Sequence, residues 1–251
     1  MAFDSTCQIF TQAEIASLRI GGAILRDCLQ YVSTLVKPGI TTLELDIAAE
    51  DFIQSKGGRP AFKGYFGFTG TLCTSINEEC VHGIPGKRVL VDGDIVSLDC
   101  GVRYGDLNTD ACVTIPVGSI SEEAQKLLQV TELALMKALS MLKAGVRVGD
   151  VSSTIQKTVE SGGFHVIHAL TGHGLGKNLH EFPDIPNYGR AGTGPVFPAG
   201  SVIAIEPIVS VGTERVMDQP DGWTIVTYDQ SLSAHVEHTI LVTESGCEII
   251  A

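Results

Sequence analysis

Positive charge is scarce in this chain. Seventeen lysines and arginines stand against 29 aspartates and glutamates, a formal net charge of −12 at pH 7, and no dense Lys/Arg run offsets it. A surface of that sign repels phosphate backbones, so direct nucleic-acid binding is not expected. No apolar stretch approaches membrane-spanning length. Residues 1–10 lack a basic segment followed by an apolar run, so no signal peptide is read there. The seven cysteines (Cys7, Cys28, Cys73, Cys80, Cys100, Cys112 and Cys247) are odd in number, and no two form a CxxC pair. That argues against a disulfide framework or a cysteine zinc cage and favours the reducing cytoplasm. What remains is ordinary globular composition, 44% hydrophobic and 18% charged over 251 residues, without a Gly/Pro/Ser-rich linker. One compact unit spanning 1–251 is expected, with a monomer as the default.

The chain carries a rough copy of itself. A helix should begin after Thr11, which forms a capping-box pattern with Glu14, and stop before the Lys37-Pro38-Gly39 sequence. A second should start near Thr41, with Glu44 three residues on, and end at Gly57-Gly58. The plan recurs with helices over about 121–142 and 150–161. Lys37, Gly39, Ser55 and Gly57 return 106 residues later as Lys143, Gly145, Ser161 and Gly163. Further on, DIVSLD at 94–99 aligns with SVIAIE at 201–206; both runs follow a glycine and end in a carboxylate. The period points to two halves, about 1–120 and 121–251, whose equivalent carboxylates meet near a pseudo-twofold axis. Antiparallel strands are expected over 95–103 and 109–117, flanking a tight polar turn at 104–108, and over 201–212 and 232–244. The class is α+β.

Four of the acidic residues sit where charge is expensive. Asp99 lies inside the run IVSLDC, and Asp110 lies about as far past the turn as Asp99 lies before it. Symmetric placement predicts that they are cross-strand neighbours, roughly 5 Å apart at Cβ. Glu206 in IEPI and Glu237 in AHVEHTI repeat the problem. A buried carboxylate costs on the order of several kcal/mol unless neutralised. Each can pair with a lysine or arginine, two can share a proton as a dyad, or cations can hold them. With only 17 basic side chains in the whole protein, four separate ion pairs are the weaker explanation. Two divalent cations match four carboxylates in charge and are a known means of activating water. His173, between glycines in TGHGLG, adds a fifth candidate ligand on what reads as an open loop. The oxygen-rich set suits manganese, iron or cobalt at least as well as zinc. His82 and His180 are not needed for those ligand places, so they can contact substrate. His165 and His168 read as structural, and His235 as a surface or supporting residue.

The ordered set HGIP (82–85), SLDCG (97–101), TDA (109–111), GHGLG (172–176), HEFP (180–183), AIEP (204–207) and SAHVEHT (233–239) spans nearly the whole chain and resembles the methionyl aminopeptidases. The short interval from His180 to Glu206 is similar to type I, and the absence of a zinc-finger extension to the short bacterial or organellar form. The resemblance implies the pita-bread fold, with two pseudo-twofold-related αββ halves around a central antiparallel sheet. It implies that Asp99, Asp110, His173, Glu206 and Glu237 hold two divalent ions (Co, Mn, Fe, Zn or Ni). His82, His180 and Glu206 are then catalytic. Tyr65, Phe68, Cys73 and Trp223 join His82 and His180 in binding substrate, with aromatic rings and a soft thiol around a thioether. Leu179 and Thr69 depart from the family's common residues.

The activity implied is removal of the initiator methionine from nascent chains with a small second residue, by two-metal activation of a water; Met1-Ala2 fits that rule. Nascent N-termini are the expected partners, with the ribosome as a further candidate. Two rivals stay open at this point: an Xaa-Pro aminopeptidase or prolidase, and a non-catalytic pita-bread binding protein.

Overall fold

The molecule, described by a computed structural model, is defined over residues 6–251. Residues 1–5, which include Met1-Ala2 and half of the stretch searched for a signal peptide, lie outside the described residues. Among those described, four α-helices form: α1 (Gln12–Leu35), α2 (Thr42–Ser55), α3 (Glu122–Met141) and α4 (Val148–Ser161). The caps explain their starts. The Glu14 N–H donates to Thr11 Oγ1 at 3.3 Å, and the Thr11 N–H donates to Glu14 Oε2 at 2.8 Å. Thr41 and Glu44 repeat the arrangement on α2. Each such cap contributes about 1 kcal/mol. Helix α4 starts two residues before the expected Asp150. Asp150 is its third residue and accepts from the Arg147 N–H at 3.1 Å, the place that Glu44 holds in α2.

Two cores form. In one, Leu25, Leu45 and Ile53 of α1 and α2 pack on Leu72, Val96 and Leu98 of a sheet. In the other, Leu127, Leu135, Val151 and Ile155 of α3 and α4 pack on Ile203, Ile205 and Ile240. Each such side chain stabilises the fold by about 1.5–3 kcal/mol relative to exposure. All strand pairs are antiparallel. The first sheet is built on the hairpin of Ile95–Tyr104 and Leu107–Pro116, with Leu72–Ile76 on the other flank. The second runs in the order Cys247–Ile249, His238–Val242, Val202–Ile205, Thr171–Gly174, Glu181–Pro186. Helices thus cover antiparallel sheets in both halves, the α+β pita-bread architecture.

Three details differ from expectation. The hairpin turns on Gly105-Asp106, with Tyr104 paired to Leu107, because Gly105 takes φ +60° at low cost. A directly opposed Asp99–Asp110 pair would need the turn centred one residue earlier, between Tyr104 and Gly105. Asp99 therefore pairs with Cys112, and Asp110 with Gly101. The two aspartates are diagonal neighbours on one face, not a directly opposed pair. The strands expected over 201–212 and 232–244 are each broken, at Glu206-Pro207 and at Val236-Glu237. Pro207 has no N–H for a ladder, which releases the backbone beside Glu206. His173 is on no loop: it sits in a strand within the second sheet.

The seam between the sheets runs through these breaks. Cys112 and Glu237 exchange backbone hydrogen bonds of 3.2 and 3.0 Å. On one side, Thr239 Oγ1 donates to the Asp110 carbonyl at 2.6 Å and accepts from its N–H at 2.8 Å. On the other, Thr114 Oγ1 does the same for His235, at 2.6 and 3.0 Å. Two threonines thus fix the spacing of the carboxylate-bearing backbones from opposite halves.

Candidate metal centre and substrate pocket

The five expected ligands meet in one cavity of about 110 Å3, together with His82, His180, Tyr65, Phe68, Cys73 and Trp223. Asp99, Asp110, Glu206, Glu237 and His173 are all buried. Ligand atoms of Asp110, His173 and Glu237 lie within 4.8 Å of one another. Glu206 and Glu237 face each other across the strand breaks, since Ile205 pairs with His238 and Ile208 with His235. The Asn187 side-chain amide donates to the Glu206 carbonyl at 2.9 Å and anchors that break.

His173 is oriented by its own strand. Its Nδ1 lies 2.9 Å from the Gly174 carbonyl, a contact that an Nδ1–H donor fills, leaving the lone pair on Nε2. Nε2 stands 3.5 Å from Glu206 Oε1. The flanking glycines serve the sheet, not exposure of the ring. A Cβ at position 172 would come 2.5 Å from the Ala204 carbonyl oxygen, and one at 174 would come 2.3 Å from that of Phe182.

The electrostatics are those of a cation site. Burial pushes Asp99 up to about 7. Burial, then the neighbouring charge of Asp99, raises Asp110 and Glu206 well above the usual carboxylate range. Glu237 is raised by burial, then by Asp110 and Glu206. Burial holds His173 down to about 3, so its imidazole is neutral and able to ligate. Asp99 Oδ1, Asp110 Oδ1 and Glu237 Oε1 are buried without a protein hydrogen-bond partner, and no lysine or arginine is among the lining residues described. Orphaned carboxylate oxygens with one imidazole form a donor set that divalent cations complete.

This has a consequence of definite sign for stability. Folded Asp99 keeps its proton to about pH 7, whereas its ordinary value is 3.8. Between those values the folded state binds more protons than the unfolded one, so the metal-free protein loses stability as pH rises through that window. Cations take the place of those protons. The rise in melting temperature on adding manganese should therefore grow between about pH 5 and about pH 8. An equal rise at both ends would contradict it.

An aromatic slot adjoins the carboxylates. Phe62, Phe68, Cys73 and Leu179 form a small buried cluster against which Tyr65 and Trp223 pack. Phe68 meets Trp223 edge-on at 5.1 Å, and His82 meets the same indole at 6.3 Å. His180 is at the mouth, its ring 4.3 Å from that of His173 and its Nδ1 2.9 Å from the Tyr65 hydroxyl. Burial lowers His82 to about 4, and partial desolvation by the pocket walls lowers His180, so both rings are neutral.

The structure also places residues that sequence reasoning set aside or misplaced. His235, read as a surface or supporting residue, is buried and lines the cavity. Strand alternation was the available signal, and the break at Val236-Glu237 defeats it. Phe62 completes the slot, and its ring fills the space over Gly101, where a Cβ would meet it at 2.6 Å. His165 and His168 are exposed, and His168 stacks on Tyr188 at 4.1 Å away from the cavity.

Comparison with known proteins agrees with this geometry. The profile of metallopeptidase family M24 matches residues 16–244. The methionine aminopeptidase of Clostridium perfringens is 47% identical over 94% of this chain and 95% of its own length. The crystal structure of methionine aminopeptidase from Thermotoga maritima superposes with a TM-score of 0.96 at 47% identity, covering 98% of this chain and 99% of that one. A prolidase from Pyrococcus furiosus shares the fold alone, with a TM-score of 0.77 at 23% identity; this chain covers 64% of its length.

Proposed function

The chain belongs to metallopeptidase family M24, with the methionine aminopeptidases, and we propose that it is the metal-dependent aminopeptidase that removes initiator methionine from nascent polypeptides with a small second residue. The observation that carries this reading is the single cavity that joins the carboxylate cluster to the aromatic slot. The slot's rings and the Cys73 thiol suit a thioether, whose sulfur–aromatic contacts contribute about 0.3–1.5 kcal/mol each. The domain reading is one catalytic unit whose halves, about 1–120 and 121–251, each contribute ligands; the sequence repeat and the two cores support it. On this reading the protein acts as a monomer in the cytoplasm, on chains leaving the ribosome. No helix among the described residues is long and apolar enough to cross a membrane.

Asp99, Asp110, His173, Glu206 and Glu237 would hold two divalent ions, whose charge matches four carboxylates. The donor set admits cobalt, manganese, iron, zinc or nickel. Such ions, when bound, acidify water and polarise a carbonyl. The chain's own residues do the rest. Glu206 accepts the proton of the attacking water as general base. The Tyr65 hydroxyl lies 2.9 Å from His180 Nδ1; donating there, it would leave the proton on Nε2 for the scissile carbonyl oxygen as it gains charge. His82 contacts the scissile amide and assists departure of the amine. His82→Ala and His180→Ala should each lower kcat by about 10²–10³-fold while bound metal, read by elemental analysis, stays unchanged. Loss of metal would make either residue a ligand instead.

Substrate class is tested by assaying Met-Ala-Ser against an Xaa-Pro dipeptide. Release of methionine with little Xaa-Pro cleavage is expected. The reverse preference would move the chain to the prolidase-like enzymes, and cleavage of neither to the binding proteins.

A further inference from the structure

The two oxygens of Glu206 are flanked alike. Oε1 has His173 Nε2 at 3.5 Å, and Oε2 has His235 Nε2 at 3.6 Å. His235 Nε2 also lies 3.7 Å from Glu237 Oε2. These separations are too long for hydrogen bonds, which need about 2.7–3.2 Å. The two distances to Glu206 fall within the spacing of two atoms that share a cation, and the 3.7 Å to Glu237 lies just beyond it. With bonds of about 2.0–2.2 Å to nitrogen and oxygen, neighbouring ligand atoms end roughly 3.0–3.6 Å apart. The imidazole is 2% exposed, and both its nitrogens are buried without a protein partner. A buried imidazole without a partner is costly, and a ligand at Nε2 relieves that cost. Its backbone is held from both sides by Thr114 Oγ1, which fixes the ring's position against the carboxylates.

We propose that His235 is a sixth metal ligand, placing Nε2 on the ion held by Glu206 Oε2 and Glu237 Oε2, so that this centre has two imidazoles instead of one. The assignment rests on the metallopeptidase reading of the same cavity. It makes the centre richer in nitrogen than five ligands imply, which shifts metal preference away from hard oxygen-seeking ions and toward cobalt, nickel or zinc. His235 Nε2 faces the carboxylates of both Glu206 and Glu237. The groups that face it are Glu206, Glu237, His82 and His173.

Proton NMR of the cobalt-loaded protein tests this without an activity readout. Each coordinated imidazole contributes one strongly shifted, exchangeable N–H resonance. Two such resonances are expected in the wild type and one in His235→Gln, with cobalt affinity lowered at least about tenfold in calorimetric titration. One resonance in the wild type overturns the assignment of His235 and leaves the centre intact, with His173 as its only imidazole. None, in a folded protein titrated with excess cobalt, overturns the metal centre itself. The wild-type spectrum decides even if His235→Gln does not fold.

Discussion

Replacing Glu206 by glutamine should lower kcat for methionine release by about 10²–10⁴-fold while the protein stays folded. The size follows from the position. Glu206 sits where the Val202–Ile205 strand ends at Pro207, and the Asn187 amide fixes its carbonyl at 2.9 Å. Both carboxylate oxygens face imidazoles, at 3.5 and 3.6 Å. Glutamine has the same shape and can keep one oxygen where it was, but its nitrogen cannot accept a proton. Burial and Asp99 raise the carboxyl well above the usual range, so it becomes a competent base only once cations offset that environment. The variant, which also loses one charge of the cluster, should melt at or above the parent temperature in metal-free buffer. Near-normal turnover at saturating peptide would remove Glu206 from the role of base.

Asp110→Asn should separate stability from function. Asp110 is 4% exposed, and burial, Asp99 and Glu206, in that order, disfavour its charge. One of its oxygens has no protein partner. The amide removes a like charge from a cluster of four, so the metal-free variant should be more stable than the parent at pH 8, by on the order of 1 kcal/mol or more, about 2–4 °C in melting temperature. Metal affinity should fall at least about tenfold and activity with it. Calorimetric metal titration and thermal melts at matched pH give both quantities. A variant less stable than the parent when metal-free would mean that the carboxylates are satisfied by the protein alone, against the cation reading.

How much of this was legible in the sequence differs by element. The capped helices were, because Thr11 with Glu14 and Thr41 with Glu44 are local devices that need no tertiary contact. The start of α4 was less so, since Arg147 replaces the threonine of the matching position and only Asp150 remains as a marker. Strand breaks were not. Glu206-Pro207 carried a proline signal, but the break beside Glu237 is imposed by the Cys112 bridge from the other half, which no local pattern encodes. The hairpin register hung on one residue. The polar stretch 104–108 marked the turn, but only the left-handed backbone at Gly105 centres it, and that moves Asp110 opposite Gly101. The four acidic residues in apolar runs were readable because an unpaired buried carboxylate is costly anywhere. His235 was not, because histidine is unremarkable in a strand, and its role depends on Glu206 and Glu237 converging from two separate breaks.

The central claim is that metal ions at this carboxylate cluster carry the aminopeptidase reaction. The direct test is methionine release from Met-Ala-Ser by the metal-stripped protein, before and after adding manganese, cobalt or iron. The account predicts background release when stripped and restored release with at least one of the ions. Full release by the stripped protein, or none with any ion from a protein shown to be folded, would contradict it.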